Sequence, residues 1–100
     1  MKNKTNKKTV IKEIQLNRDK LKKLKVIRIG LFGSVLKGKN KKKSDVDILV
    51  KFSENTFDNY AELIILLEKI LKKKVDLVTE PSLRPELAYV KKEAEYVRVT

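Results

Sequence analysis

The stretch Gly30–Phe52 reads GLFGSVLKGKNKKKSDVDILVKF, and its pattern decides the fold. In its last segment, Asp45–Phe52, alternate residues form an apolar face made of Val46, Ile48, Val50 and Phe52. A period of two with one apolar face is typical of a strand that packs on a core. The run Val26–Phe32 is rich in β-branched and aromatic residues and stops at a glycine, which predicts another strand. We therefore expect two strands joined by a lysine-rich loop.

Upstream of these strands, apolar residues recur at helical spacing from Thr9 onward. They are Val10, Ile11, Ile14, Leu21 and Leu24. The polar pair Asn17 and Arg18 interrupts the stripe, but one helix over this region remains the prediction. Residues 1–8 are polar and basic, and we expect them to form an N-terminal tail outside the domain.

Downstream, a helix is predicted from a cap at Asn55 or Thr56 to about Lys73. Its expected buried stripe comprises Tyr60, Leu63, Ile64, Leu67, Ile70 and Leu71. The elements predicted after it are a strand over Val75–Thr79, a helix from Pro85 to about Ala94, and a short edge strand over Tyr96–Val99. The order predicts a two-layer α+β domain over residues 9–100, with a small mixed sheet of three to four strands and about four helices.

Composition limits the chemistry. The 100 residues include no cysteine and no histidine, which excludes disulfides, thiolate zinc sites, cysteine nucleophiles and Ser-His triads. Catalysis would have to use carboxylates, hydroxyls, lysines and a hard cation such as Mg²⁺. The net charge of +12 favours acidic partners such as nucleotide phosphates or RNA. Without a long apolar run or a signal-peptide core, the sequence predicts a cytoplasmic protein with no membrane partner.

One phosphate-binding motif can be rejected from its context. Gly33–Lys39, GSVLKGK, fits the start of a P-loop. Asn40 stands where a P-loop needs Ser or Thr to hold magnesium, and a strand follows instead of a long helix. The loop therefore needs another interpretation.

Two carboxylates lie on the non-apolar face of the strand, where that face comprises Asp45, Asp47, Leu49 and Lys51. Residues two apart on a strand have Cα atoms about 6.6 Å apart on the same side. From there the two carboxylates could converge on metal ions about 3.5–4 Å apart, the spacing of two-metal phosphoryl-transfer sites. Ordinary polar alternation on a solvated sheet face is the competing interpretation of this pair.

Further residues strengthen the first interpretation. Gly33 and Ser34 directly follow a strand, where a turn into a short helix would direct N–H groups and a hydroxyl at a phosphate; a plain turn is the alternative. Asp76 lies between Val75 and Leu77 in a predicted strand, so it faces away from them. Aspartate is depleted in strand interiors, so this one suggests a third metal ligand or a proton acceptor. A salt bridge to one of the lysines 72–74 is the competing explanation.

Together these residues resemble a known family. Gly33 and Ser34, ten residues, then Asp45-Val46-Asp47 match the GSx10DxD signature of the DNA polymerase beta-like nucleotidyltransferases. The short chain resembles their minimal nucleotidyltransferase (MNT) branch. The likeness covers the chain from about Val26 through Asp76, and more loosely to the C-terminal helix. The resemblance implies the DNA polymerase beta-like nucleotidyltransferase fold.

The resemblance also implies a role for each matching residue. Asp45, Asp47 and Asp76 would be the catalytic acids and would hold Mg²⁺, with two ions expected. Asp76 would also help to activate the acceptor hydroxyl.

The residues implied to bind the nucleotide are Gly33, Ser34, Lys37 and Ser44. Relatives often carry arginine where Lys37 stands, and lysine keeps the charge but loses the two-pronged geometry. Of the five lysines at 37, 39 and 41–43, we expect one or two to contact phosphate. The others would be solvated or would meet a partner.

The function implied by the resemblance is transfer of AMP from ATP to a hydroxyl group. Short members of the family are often antitoxins that transfer AMP to a tyrosine of a HEPN-domain ribonuclease toxin, which implies a hetero-oligomer. A non-catalytic module that neutralises a toxin, or binds RNA, by surface contact alone is the alternative. A stand-alone small-molecule transferase of the aminoglycoside-modifying kind ranks last, because such enzymes usually need a further domain.

Overall fold

The computed structural model describes residues 6–38 and 45–99, and the statements below concern these residues. The α-helices are α1 (Lys7–Leu16), α2 (Arg18–Lys23), α3 (Gly33–Lys37), α4 (Phe57–Leu71) and α5 (Tyr89–Glu93). The strands are β1 (Val26–Phe32), β2 (Val46–Phe52), β3 (Val75–Thr79) and β4 (Glu95–Arg98). Two 3₁₀ turns, Glu80–Ser82 and Pro85–Leu87, connect β3 to α5. None of the helices in this described part is long and apolar enough to cross a membrane.

The strands form one mixed sheet in the order β3-β2-β1-β4. Strand β1 runs antiparallel to β2 and β4, whereas β2 and β3 are parallel. The parallel pair needs a crossover connection, and α4 supplies it. This arrangement confirms the predicted α+β class with a small mixed sheet. It also brings the C-terminal end of β1 to the same edge of the sheet as the N-terminal ends of β2 and β3.

One face of the sheet packs against helices α1, α2 and α4. The residues that form this core include Val10, Ile14, Leu21, Ile29, Leu31, Leu63, Leu67 and Val97. The predicted apolar face of β2 is confirmed, because all four of its residues are buried in the same core. In α4, Leu63 and Leu67 are fully buried and the rest of the predicted stripe is partly buried. Thr56 caps this helix, since its hydroxyl accepts a bond of 3.1 Å from the Asn59 N–H.

The prediction of a single N-terminal helix is wrong, because the helix is interrupted at Asn17, between α1 and α2. The Asn17 side-chain amide donates to the Glu13 carbonyl at 2.8 Å, a bond to the preceding turn that favours a helix end. Helix α1 begins at Lys7, earlier than expected, where Asn6 accepts a bond of 2.9 Å from the Thr9 N–H. Of the predicted tail, residues 1–5 lie outside the described part of the chain.

The second face of the sheet is partly covered. Leu49 lies on this face and is fully buried, but it does not belong to the core that packs against the helices. The covering segment begins at Glu80 and ends with α5. The predicted continuous helix from Pro85 is wrong: a 3₁₀ turn comes first and α5 is a short helix of five residues.

Tyr96 lies directly on the backbone of β1. It pairs with Gly30 across the β1–β4 ladder, and its ring covers the position where a Gly30 side chain would stand. A Cβ built on Gly30 would lie 2.8 Å from the ring Cδ1 and 3.3 Å from the Ala94 Cβ. The absence of a side chain at residue 30 therefore allows the C-terminal strand to lie close against the sheet.

Candidate active site

The turn between β1 and α3 depends on Gly33. Its φ of +76° lies in the left-handed region, which costs glycine little and other residues more. A Cβ at this position would also overlap the carboxylate of Asp47. Gly33 therefore meets two requirements at once: the backbone conformation and the close approach of Asp47. Helix α3 ends at Gly38, which has a φ of +71°. The predicted turn from a strand into a short helix is confirmed.

Asp47 and Asp76 are cross-strand partners on the parallel strands β2 and β3. Paired residues of neighbouring strands project from the same face of a sheet, so the two carboxylates lie side by side. Val75 and Leu77 are buried on the other face, as expected from their alternation with Asp76. Asp45 directly precedes β2 and is exposed. The structure therefore brings the three predicted acids to one edge of the sheet.

The electrostatics of Asp47 reflect this crowding. Its partial burial raises its pKa, and the negative charges of Asp76 and Asp45 raise the pKa further. The Ser34 backbone N–H donates to the Asp47 carboxylate and opposes the rise. Like charges held together raise pKa values in this way, and a bound cation reverses the effect. The acids and the β1–α3 turn are thus physically coupled at Asp47.

The donor set can be tested for a divalent cation. In residues 6–38 and 45–99, no three acidic side chains already converge into a closed metal cage. The chemistry nevertheless fits Mg²⁺, which prefers carboxylate oxygens and keeps several of its own waters. Burial and, after it, the charges of Asp76 and Asp45 raise the pKa of Asp47, and a cation would compensate both effects. Asp45, Asp47 and Asp76 are the residues of this edge that could contribute carboxylate oxygens to the ion.

A cleft of about 420 Å³ opens beside these residues. Gly33, Lys37 and Asp76 line one side of it, and the covering segment between Ser82 and Glu93 lines the other. The Lys37 ammonium lies 3.7 Å from the Glu93 carboxylate, and both side chains are about half exposed. Sequence reasoning did not identify the segment as a wall of the site, because it presents no motif.

Arg28 and Glu80 fix the start of that wall, and sequence reasoning missed both. The guanidinium donates to Glu80 through Nε at 2.8 Å and through a second nitrogen at 3.0 Å. Glu80 is only 7% exposed. Arg28 also lies over the Tyr96 ring, 4.6 Å from its centroid. The available signal was a lone charge, Arg28, inside an otherwise apolar strand.

Some predicted site residues lie outside the described part of the chain. They are Ser44 and the loop lysines Lys39, Lys41, Lys42 and Lys43. The nucleotide-binding role of Ser44 and the phosphate contacts of those lysines stay predictions.

Comparison with known proteins finds a matching family and several relatives. The family described as "Nucleotidyltransferase domain" matches residues 11–99. A candidate protein adenylyltransferase, MJ1379 of Methanocaldococcus jannaschii, is 48% identical over 90 residues, which cover 85% of this chain and 88% of that protein. Protein adenylyltransferase MntA of Thermococcus cleftensis is 45% identical over 74 residues, covering 72% of this chain and 75% of MntA.

Solved structures give the same result for the fold. A candidate minimal nucleotidyltransferase has a TM-score of 0.71 at 33% identity, covering 85% of this chain and 93% of its own. A complex of tri-AMPylated HEPN toxin and MNT antitoxin from Shewanella oneidensis matches with a TM-score of 0.53 at 29% identity. That match covers 86% of this chain and 71% of the matched chain.

Proposed function

Because this chain belongs to the nucleotidyltransferase domain family, we propose that it transfers AMP from Mg²⁺-bound ATP to a tyrosine hydroxyl of a HEPN-domain toxin and so acts as an antitoxin. The observation that carries the proposal is the meeting of Asp47 and Asp76 with the Gly33–Ser34 turn. A surface used only for adhesion gains nothing from carboxylates that repel one another. A site for phosphoryl transfer needs them.

The triphosphate binds at the β1–α3 turn. Because Gly33 has no Cβ, the Asp47 carboxylate lies close against the turn. The Ser34 N–H donates to that carboxylate, and the Ser34 hydroxyl contacts phosphate. Lys37 adds positive charge from the end of α3. These groups orient the α-phosphorus for attack from the side opposite the leaving pyrophosphate.

Asp45, Asp47 and Asp76 would hold the cation, and Asp76 would also activate the acceptor hydroxyl. When bound, Mg²⁺ neutralises charge on the phosphoryl oxygens and on the leaving pyrophosphate. Asp76 lies at the solvent-exposed rim of the group and accepts the proton of the attacking hydroxyl. The new bond joins the acceptor oxygen to the α-phosphorus as the bond from that phosphorus to the bridging oxygen breaks.

The acceptor comes from another molecule. Support for a toxin as acceptor comes from the similarity to the MNT antitoxin complex, in which the toxin is AMPylated. Tyrosine fits because its phenolic hydroxyl supplies an oxygen nucleophile. The basic net charge of +12 would also attract an acidic partner surface.

The test uses the full chain, a purified HEPN toxin and ATP labelled at the α-phosphate. We expect label and the mass of one or more AMP groups on the toxin with wild type, and loss of at least about 100-fold in rate with Asp47→Asn. Asp58→Asn, in the first turn of α4, is the matched control and should transfer normally. Equal neutralisation of the toxin by wild type and Asp47→Asn, without transfer, would instead support the non-catalytic module. Label found only on added RNA would identify RNA, and not the toxin, as the acceptor.

A further inference from the structure

The cleft contains apolar side chains that face water. Leu87 is 41% exposed and Tyr89 is 53% exposed, and both line the same cleft as Gly33 and Asp76. Exposed large apolar groups that are clustered in a concavity usually mark a binding site. The proposed phosphate and metal groups do not use these residues.

The cleft combines charged and apolar side chains. Lys37, Asp76, Arg84 and Glu93 carry the charges, whereas the apolar side chains of the covering segment include Leu83, Leu87 and Tyr89. Its volume of about 420 Å³ falls within the range of small-molecule sites. A nucleotide combines the same two characters, since it carries a charged triphosphate and a flat aromatic base.

The wall is held in place at its start, where the buried Glu80 joins it to β1 through Arg28. At its other end Glu93 makes only an exposed ion pair with Lys37. A wall fixed before the ligand arrives loses little conformational entropy on binding. The apolar surface is thus pre-organised at a fixed position relative to the carboxylates.

We propose that Leu87 and Tyr89 form the nucleobase subsite, with the base packed against the Tyr89 ring and the Leu87 side chain. This inference rests on the proposed function, since it places the base of the same nucleotide whose phosphates bind at Gly33. Stacking strength grows with the area of the ring system, so purines bind more tightly than pyrimidines. The apolar wall selects by ring size.

The test measures dissociation constants calorimetrically for the full chain with Mg²⁺, using ATP, CTP and inorganic tripolyphosphate as probes. We expect Tyr89→Ala and Leu87→Ala each to weaken ATP binding by about tenfold while tripolyphosphate binding stays within about twofold of wild type. Tyr89→Phe should restore ATP affinity because it keeps the ring. Phe57→Ala removes an 80% exposed aromatic that does not line the cleft and is the matched control. Circular dichroism verifies that each variant is folded.

The possible results distinguish failure of the nucleobase subsite from failure of the proposed function. Equal weakening of ATP and tripolyphosphate, or no weakening of either, would overturn the subsite. Unchanged ATP affinity together with slower transfer to the toxin would assign the wall to the acceptor and also overturn it. Equal wild-type affinity for ATP, CTP and tripolyphosphate would do the same while leaving the phosphate site intact. Failure of wild type to bind either ATP or tripolyphosphate would refute the proposed function itself.

Discussion

The carboxylates of Asp47 and Asp76 stand side by side on parallel strands, although the whole of α4 separates them in the sequence. Burial raises the pKa of Asp47, and the charge of Asp76 raises it further. A protein gains no stability from such a pair without a cation. The carboxylates that would bind a cation therefore lower the stability of the protein when no cation is bound.

The first prediction concerns the stability cost of Asp47. A raised carboxyl pKa means that the folded state binds the proton more tightly than the unfolded state, so stability falls as the pH rises above 3.8 through the folded-state pKa. Asp47→Asn should therefore melt at the same or a higher temperature than wild type at neutral pH, with the difference vanishing below 3.8. Scanning calorimetry across this pH range measures it. A melting temperature several degrees lower at neutral pH would assign Asp47 a structural role.

With Mg²⁺ present, wild type should melt at a higher temperature than Asp47→Asn. We expect Mg²⁺ to raise the melting temperature of wild type, because a ligand that binds only the folded state stabilises it. Asp47→Asn should show little or no shift with Mg²⁺, and Asp58→Asn should behave as wild type. Equal shifts in all three proteins would place the ion elsewhere. This experiment needs neither nucleotide nor acceptor.

The second prediction separates the two requirements at Gly33. Gly33 and Gly38 have similar positive φ values of +76° and +71°, but only a Cβ at Gly33 would meet Asp47. Gly33→Ala and Gly38→Ala should each lose about 1–2 kcal/mol of stability from the backbone alone. Only Gly33→Ala should also abolish AMP transfer. Similar activities for the two variants, measured well below their melting temperatures, would show that contact with Asp47 is unimportant.

The third prediction concerns the ion pair between Lys37 and Glu93. Exposed pairs of this kind contribute little to stability, so Glu93→Gln should change the free energy of unfolding by less than about 1 kcal/mol. Removal of Glu93 frees the Lys37 ammonium for phosphate and should tighten tripolyphosphate binding by about two- to fivefold. Glu95→Gln, which breaks the exposed Lys7–Glu95 pair, is the control. Weaker binding in Glu93→Gln would mean that Glu93 positions Lys37 productively.

The fourth prediction concerns Arg28 and Glu80. Removal of the guanidinium leaves a nearly buried carboxylate without its partner, so Arg28→Ala should cost about 2–4 kcal/mol in urea denaturation. Replacement of both residues by methionine should cost less than Arg28→Ala, because no buried charge is then left unpaired. A double variant that is less stable than Arg28→Ala would contradict this account.

The sequence predicted those features that depend on local pattern. The bounds of β1 and β3 agree with the predicted segments Val26–Phe32 and Val75–Thr79, because alternation and composition determine them locally. The orientation of Asp76 followed from its buried neighbours. These arguments require only residues adjacent in the chain.

Features that depend on distant contacts could not be predicted. Arg28 meets Glu80 across 52 positions of the sequence, and no local signal links them. Glu93 reaches Lys37, and the covering segment forms a wall only because the fold places it opposite Gly33 and Asp76. The break at Asn17 was visible as an interruption of the stripe, but a side-chain bond to the preceding turn decided it. The roles of the individual site residues stay predictions.

The contact between Gly30 and Tyr96 restricts which residues can occupy the two positions during evolution. Any side chain at residue 30 would have to displace the Tyr96 ring, because the nearest ring atom would lie 2.8 Å from the Cβ of residue 30. A larger residue can therefore replace this glycine only if a smaller one replaces the tyrosine. Among relatives that share this sheet, we expect the two positions to covary, with glycine lost where the aromatic ring is lost.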